Sequence, residues 1–345
     1  MELQLHPQKA NLKIRPYMLS GSSKKMNNHR VNSIPDIETI RRSAQRIKPF
    51  INRTPVLTCR SLNQMVNAEL FFKCENFQKV GAFKFRGATN AVLSLSEKEI
   101  ERGVATHSSG NHAQALALAA KNRGTKAHIV MPNNSSKVKI RAVEGYGGQI
   151  IFCEPTLQAR EETLARVVEK TGATFIHPYN DYQVIAGQGT AALELLDEVK
   201  NLDVVMAPVG GGGLLSGTAL AVSYLSPYTQ VVGAEPKGAD DAYRSFKEGK
   251  IIPSINPKTI ADGLLTSLGD ETFPIIIKYV HQIVTVSEEA IVSSMRLIWE
   301  RMKIVIEPSS AVPFGALLEN KIEVKGKRIG IIISGGNVDL DKLPF

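Results

Sequence analysis

Cysteine is sparse, and its spacing offers no pairing: Cys59, Cys74 and Cys153 are odd in number, far apart and outside any CxxC arrangement. Neither a disulfide framework nor a zinc site follows from such a set, and a reducing, cytoplasmic compartment fits it best. Missing too is any run of about eighteen apolar residues, which argues against a membrane span. Acidic residues are nearly absent from the first stretch, where Lys9, Lys13, Arg15, Lys24, Lys25 and Arg30 face only Glu2. With Pro7, Pro16, Gly21 and no sustained apolar period, residues 1–33 read as a disordered basic extension. An organellar transit peptide is the alternative, although the basic residues are mostly lysine and no amphipathic helix is evident. Much of the net charge of +9 lies in that extension. The rest is only mildly basic and does not interleave aromatic with basic residues, so a nucleic-acid-binding protein, the reading from a different class, rests on the extension alone.

What is present is a regular alternation. Folding starts near Ser33-Ile34-Pro35-Asp36, a helix start leading into Ile37, Ile40, Ala44 and Ile47 on one face. Leu70–Cys74 has strand character. Val104–Thr106 precedes a helix from about His112, Ala127–Met131 one from about Ser136, and Ile150–Phe152 one from Leu157. Thr174–Ile176 precedes a helix expected over Thr190–Val199, Val204–Met206 feeds a glycine run, and Val231–Ala234 feeds Glu235. Ile283–Val286 leads to a helix capped by Ser287, and Ile331–Ile333 ends at Ser334. Strand and helix in alternation mean parallel α/β sheets, whose ligands sit outside the carboxyl ends of the strands. At 345 residues there is room for one large domain or two of ordinary size.

Three loops at strand ends carry chemistry. In Gly81-Ala82-Phe83-Lys84-Phe85-Arg86-Gly87 a lysine sits between two phenylalanines near a helix N-terminus. Apolar surroundings disfavour its ammonium, and a neutral amine is what attacks an aldehyde to make an imine. Pro208-Val209-Gly210-Gly211-Gly212-Gly213-Leu214 follows an apolar strand and opens a helix, a cup of backbone N–H groups suited to phosphate. It fits neither the dinucleotide glycine pattern, because the sixth position is Leu215 or Ser216, nor a Walker loop, because Gly217 is followed by Thr218. A small phosphate monoester remains. Thr106-His107-Ser108-Ser109-Gly110-Asn111-His112 gathers hydroxyls, an amide and an imidazole before a helix, which suits a carboxylate and an acid/base group; a plain helix cap by Ser109 or Asn111 is the other reading.

Together with Ser334-Gly335-Gly336-Asn337, these motifs resemble the serine/threonine dehydratase family of fold-type II pyridoxal-phosphate enzymes, in that family's order and from about Ile37 to Leu340. The resemblance implies two open, twisted, mostly parallel α/β domains of the tryptophan synthase β kind: residues 34–102 plus 181–345 as the larger, 103–180 as a smaller inserted one. It also implies a homodimer. By the same resemblance Lys84 would hold pyridoxal 5'-phosphate as an imine with Phe83 against the ring. Gly210, Gly211, Gly212 and Gly213 would take the phosphate, Asn111 the ring hydroxyl and Ser334 the pyridine nitrogen. Ser108, Asn111 and His112 would grip the substrate carboxylate, and Arg160 would approach it on closure.

Among branches of the family the chain is most similar to the serine racemases. Ser109 would face Lys84 across the cofactor, and two proton-transfer groups on opposite faces of one carbon are what racemisation needs. In racemases and the related hydroxyaspartate dehydratases, the carboxylates matching Glu235 and Asp241 and the carbonyl matching Ala239 bind a divalent cation, and such oxygen ligation suits magnesium or calcium. Without the resemblance, Asp240-Asp241 reads as a solvated helix start. The implied activity interconverts L- and D-serine and eliminates water from serine to give pyruvate and ammonia. The alternatives are threonine ammonia-lyase and threo-3-hydroxyaspartate ammonia-lyase. Nucleotide activation by ATP would involve Lys303 and Asn337. The chain departs from the family at Glu307-Pro308-Ser309-Ser310, with serine where glycine or alanine is commoner.

Overall fold

The computed structural model describes residues 33–345 apart from residue 136, so the basic extension lies, but for Ser33, outside the described residues. The strands are β1 (Val56–Leu57), β2 (Glu69–Cys74), β3 (Val104–His107), β4 (Ala127–Pro132), β5 (Gln149–Cys153), β6 (Thr174–Phe175), β7 (Val204–Pro208), β8 (Gln230–Pro236), β9 (Gln282–Val286) and β10 (Arg328–Ile333). They form one six-stranded sheet, β1-β2-β10-β7-β8-β9, and one four-stranded sheet, β5-β4-β3-β6. Every ladder is parallel except β1 with β2, which is antiparallel and too short to leave an apolar signature in the sequence.

Helices cover both faces of the larger sheet, which is why its inner strands are apolar throughout rather than alternating. Along β7 successive side chains point to opposite faces: Val204 and Met206 join a core with Phe72, Phe314 and Ile331, while Val205 and Ala207 join one with Ile185, Leu215 and Ile332. The first helix, Ile37–Ile47, starts where expected, its Thr39 N–H donating to the Asp36 carboxylate at 2.8 Å. The helix expected over Thr190–Val199 begins earlier and spans Tyr182–Glu198. Its start is fixed by Asp181, whose carboxylate accepts from Gln183 and Val184 N–H. Gly187 and Gly189 hide this first half, because glycine is a poor helix former.

Those glycines have packing roles. A Cβ on Gly187 would meet the Gly87 Cα at 2.7 Å, and one on Gly189 would meet the Gly217 carbonyl oxygen at 2.8 Å. Helix Tyr182–Glu198 therefore touches, backbone to backbone, both helix Lys84–Leu93 and helix Gly213–Leu225.

Beneath Lys84 lies a buried ion network. The Arg86 guanidinium donates to both Glu75 oxygens (2.7 and 2.8 Å), to both Glu194 oxygens (2.9 and 2.8 Å) and to Thr190 Oγ1 (3.2 Å). Lys73 Nζ donates to Glu194 and to the Thr54 carbonyl, both at 2.6 Å. Burial favours neutral Arg86, yet Glu75 and Glu194 hold its pKa above the ordinary value.

Candidate active site

Neighbouring strands of the large sheet bring the predicted loops together at one edge. β2 leads to Lys84, β10 to Ser334, β7 to the glycine run and β8 to Glu235, in that spatial order. The Lys84 loop docks directly on the end of β10. Ala82 bridges Gly335, Phe83 N–H donates to the Ser334 carbonyl (2.9 Å), and Gly336 N–H donates to the Gly81 carbonyl (2.9 Å). Val80 just before it has φ of 56°, a left-handed conformation costly for a β-branched residue. Its carbonyl is held at 2.7 Å by the Asn337 amide.

Lys84 opens helix Lys84–Leu93, with Nζ donating to the Pro178 carbonyl at 2.7 Å and lying 5.2 Å from the centroid of the Phe83 ring. Burial lowers its pKa to about 8 against the opposing pull of Glu307. Around it three imidazoles are kept neutral. Burial and the Arg160 charge bring His107 down to about 4; burial, with His107 and Lys84 nearby, brings His177 down to about 3. His112 falls well below its ordinary value through burial and the neighbouring Lys84.

The glycine run is the tight strand-to-helix turn expected. Gly212 has φ of +89° and precedes helix Gly213–Leu225, and Thr272 Oγ1 donates to the Gly211 carbonyl at 2.9 Å. A Cβ at Gly211 would run into the Tyr179 ring at 2.4 Å, and one at Gly210 into the Leu264 Cα at 2.9 Å. Only bare backbone fits there, leaving N–H groups as the loop's chemical surface.

In the third loop no side chain caps helix Asn111–Arg123; its N-cap is Gly110. The capping reading of Ser109 or Asn111 is thus replaced by an uncapped N-terminus. Ser108 Oγ accepts from Gly110 N–H (3.3 Å), and Ser109 is half-buried in the turn. Asn111 is tied elsewhere: Nδ2 donates to both Glu307 oxygens (3.0 and 3.1 Å), and Oδ1 accepts from Asn337 (2.9 Å). His112 Nε2 lies 3.1 Å from the Ile176 carbonyl, so in the neutral ring this nitrogen carries the proton. Nδ1 is then a buried acceptor without a partner. Arg160 donates to the Thr156 carbonyl (3.4 Å) at the start of its own helix, Leu157–Thr171, and its charge is felt at His107.

The expected metal residues lie at the end of β8. Glu235 accepts from Ala242 and Tyr243 N–H (3.0 and 2.8 Å), and burial with Asp241 beside it pushes its pKa up to about 9. Asp241 is fully buried rather than solvated, neither of its carboxylate oxygens is in close hydrogen-bond geometry, and burial raises it to about 6 against the opposing pull of Ser254 and Arg244. Ala239 is buried beside them.

Three residues of the site escaped the sequence reading. Glu307, pushed up to about 7 by burial, holds Asn111. His177 accepts from the Tyr179 and Asn180 N–H groups, and Tyr179 packs on the glycine run. His177 and Tyr179 follow β6, at the carboxyl end of a parallel strand, and the topological rule that located the other loops would have located this one.

A sequence profile described as pyridoxal-phosphate dependent enzyme matches residues 47–335. The chain belongs to this family. It is 54% identical over 312 residues to a beta-hydroxyaspartate dehydratase of Paracoccus denitrificans, covering 90% of this chain and 99% of that one. It is 50% identical over 311 residues to a serine racemase of Dictyostelium discoideum, covering 89% and 96%. The crystal structure of the serine racemase from Dictyostelium discoideum superposes with a TM-score of 0.85 at 50% identity, covering 88% of this chain and 99% of that one. The fold-type II architecture expected from the motifs is the one observed. Among the described residues no helix is long and apolar enough to cross a membrane.

Proposed function

We propose that the protein is a pyridoxal-phosphate-dependent racemase and dehydratase of small β-hydroxy amino acids, interconverting L- and D-serine and eliminating water from serine or 3-hydroxyaspartate. The observation that carries this is the Lys84 amine, desolvated beside Phe83 until its pKa falls to about 8, in a chain half or more identical both to a dehydratase and to a racemase.

The residues fit the cofactor. Lys84 would hold its aldehyde carbon, Gly210 to Gly213 its phosphate, Ser334 its ring nitrogen, Asn111 its ring hydroxyl and Phe83 one face. When bound, the cofactor supplies an electron sink that makes an amino acid's Cα proton removable. Lys84, neutral in a substantial fraction near pH 8, takes and returns that proton at Nζ. Ser109 serves as the second proton carrier. The uncapped N-terminus of helix Asn111–Arg123, with Ser108, binds the substrate carboxylate through N–H and O–H donors, and His112 contributes its backbone rather than its ring, whose free nitrogen is an acceptor. Glu307 and Asn337 hold the Asn111 amide in place.

Residues 103–180, which contain β3 to β6, form the smaller domain in this reading and close over the site. Among the ties that cross from it are Lys84 Nζ to the Pro178 carbonyl and Lys139 Nζ to Asp262, both 2.7 Å, and the Asn111 amide to Glu307. A magnesium or calcium ion would be held by Glu235, Asp241 and the Ala239 carbonyl. The burial of Asp241 beside Glu235 supports it, since adjacent buried carboxylates need either a proton or a cation.

The test is incubation with L-serine, L-threonine and L-threo-3-hydroxyaspartate, followed by chiral amino-acid and keto-acid assay. D-serine and pyruvate should both form from L-serine, and Ser109→Ala should keep pyruvate while losing D-serine. Persistence of D-serine in that variant refutes the second proton carrier. Borohydride reduction of the loaded protein should place the label on Lys84; label elsewhere refutes the whole assignment.

A further inference from the structure

Ser310 is completely buried in helix Pro308–Leu318 and touches the end of β10 three times. Its Oγ lies 2.7 Å from the Gly335 N–H, 2.7 Å from the Gly335 carbonyl and 2.9 Å from Ser334 Oγ. The amide can only donate and the carbonyl can only accept, whereas the two hydroxyls can do either. Ser310 has one proton to place, and its choice determines what Ser334 presents outward.

With that proton on the Gly335 carbonyl, Ser334 turns its own proton inward onto Ser310 and offers only lone pairs. With it on Ser334, donation runs from Gly335 N–H through Ser310 to Ser334, whose proton then points away from the pair. In the second arrangement the Gly335 carbonyl keeps Glu307 N–H as its donor at 3.0 Å, while its 2.7 Å contact with Ser310 Oγ carries no proton, a cost that a bond from Ser334 to a strong acceptor offsets. An unprotonated pyridine nitrogen is an acceptor and needs a donor opposite it.

We infer that Ser310 is a positioning residue that turns the Ser334 hydroxyl into a hydrogen-bond donor toward the cofactor's ring nitrogen. The inference rests on the reading that Ser334 meets that nitrogen. Consecutive donation through two hydroxyls strengthens the last bond, since each polarises the next. Removing Ser310 Oγ also orphans the Gly335 N–H, so a drop in stability alone does not report this role.

The experiment loads the full-length protein with pyridoxal phosphate labelled with nitrogen-15 in the ring and reads the ring-nitrogen chemical shift and the cofactor Kd. In Ser310→Ala the shift should move toward the value of a pyridine without a hydrogen bond, and Kd should rise about three- to tenfold, the worth of about one neutral hydrogen bond. Ser310→Cys, with a weaker donor in nearly the same space, should fall between and carries the same test if the alanine variant folds poorly. In a Ser334→Ala background, Ser310→Ala should change neither reading further. An unchanged shift in Ser310→Ala overturns the inference, as does an equal effect with and without Ser334. If Ser334→Ala alone leaves the shift unmoved, the cofactor placement itself is wrong and the inference falls with it.

Discussion

Two clusters of buried charge lie within the same large sheet and its helices, and they are built oppositely. Around Arg86 every charge has a partner, and the cluster ties β2 and helix Lys84–Leu93 to helix Tyr182–Glu198. At the end of β8, Glu235 and Asp241 share one sign, and burial raises both pKa values despite the opposing pull of Ser254 and Arg244 on Asp241. The first cluster is complete as folded and its role is structural. The second carries like charge that only a proton or a cation would neutralise, which is what the proposed cation site would supply.

The largest test of the contrast is Arg86→Met, which leaves buried Glu75 without a cation and Glu194 with Lys73 alone. It should cost about 3–5 kcal/mol in urea unfolding, whatever the magnesium concentration. A loss under about 1 kcal/mol would mean that the network relaxes onto water or Lys73.

The β8 pair should respond to pH and metal instead. A carboxyl whose folded pKa exceeds its unfolded one binds more protons in the folded state, so stability falls as pH rises between the two values. For Asp241 the window is 3.8 to about 6, and for Glu235 it is 4.5 to about 9. In chelator the melting temperature should therefore decline from pH 5 to pH 9. Magnesium should offset the decline increasingly toward pH 9, by about 2.7 kcal/mol at a hundredfold excess over Kd. Asp241→Asn should flatten the lower window and remove the magnesium effect. Parallel pH curves with and without magnesium would dismiss the cation site.

The exposed Lys139–Asp262 pair is the smallest perturbation. Lys139→Met should change stability by less than about 1 kcal/mol, and the change should vanish in high salt. A larger effect would give this tie an energetic part in closure.

The contrast also explains what could be read from the sequence. The Lys84 loop, the glycine run and Ser334 were legible because each is a local signal, a short motif at the end of an apolar strand. The Asp240-Asp241 dipeptide was legible only through family resemblance, since taken by itself it looked like a solvated helix start. Partners of Arg86 were not legible at all. Glu75 is eleven positions away and Glu194 is 108, and no periodicity links them. Ser310 was noticed as a departure from a pattern and Glu307 only as its neighbour, but their contacts with Ser334 and Asn111 arise only when β10 slots between β2 and β7. The early start of helix Tyr182–Glu198 was hidden because its glycines serve contact rather than helix propensity.

Those same glycines act as a spacer gauge. The lysine begins one helix and the glycine run leads into another, and both rest, main chain on main chain, against the helix between them. Where Gly187 meets Gly87 and Gly189 meets Gly217 main chain touches main chain, so the gap from amine to glycine run is set by the thickness of a bare helix. Adding one methyl at Gly187 or Gly189 would shim that gap open without touching any reacting group, and the protein would mismeasure its own cofactor.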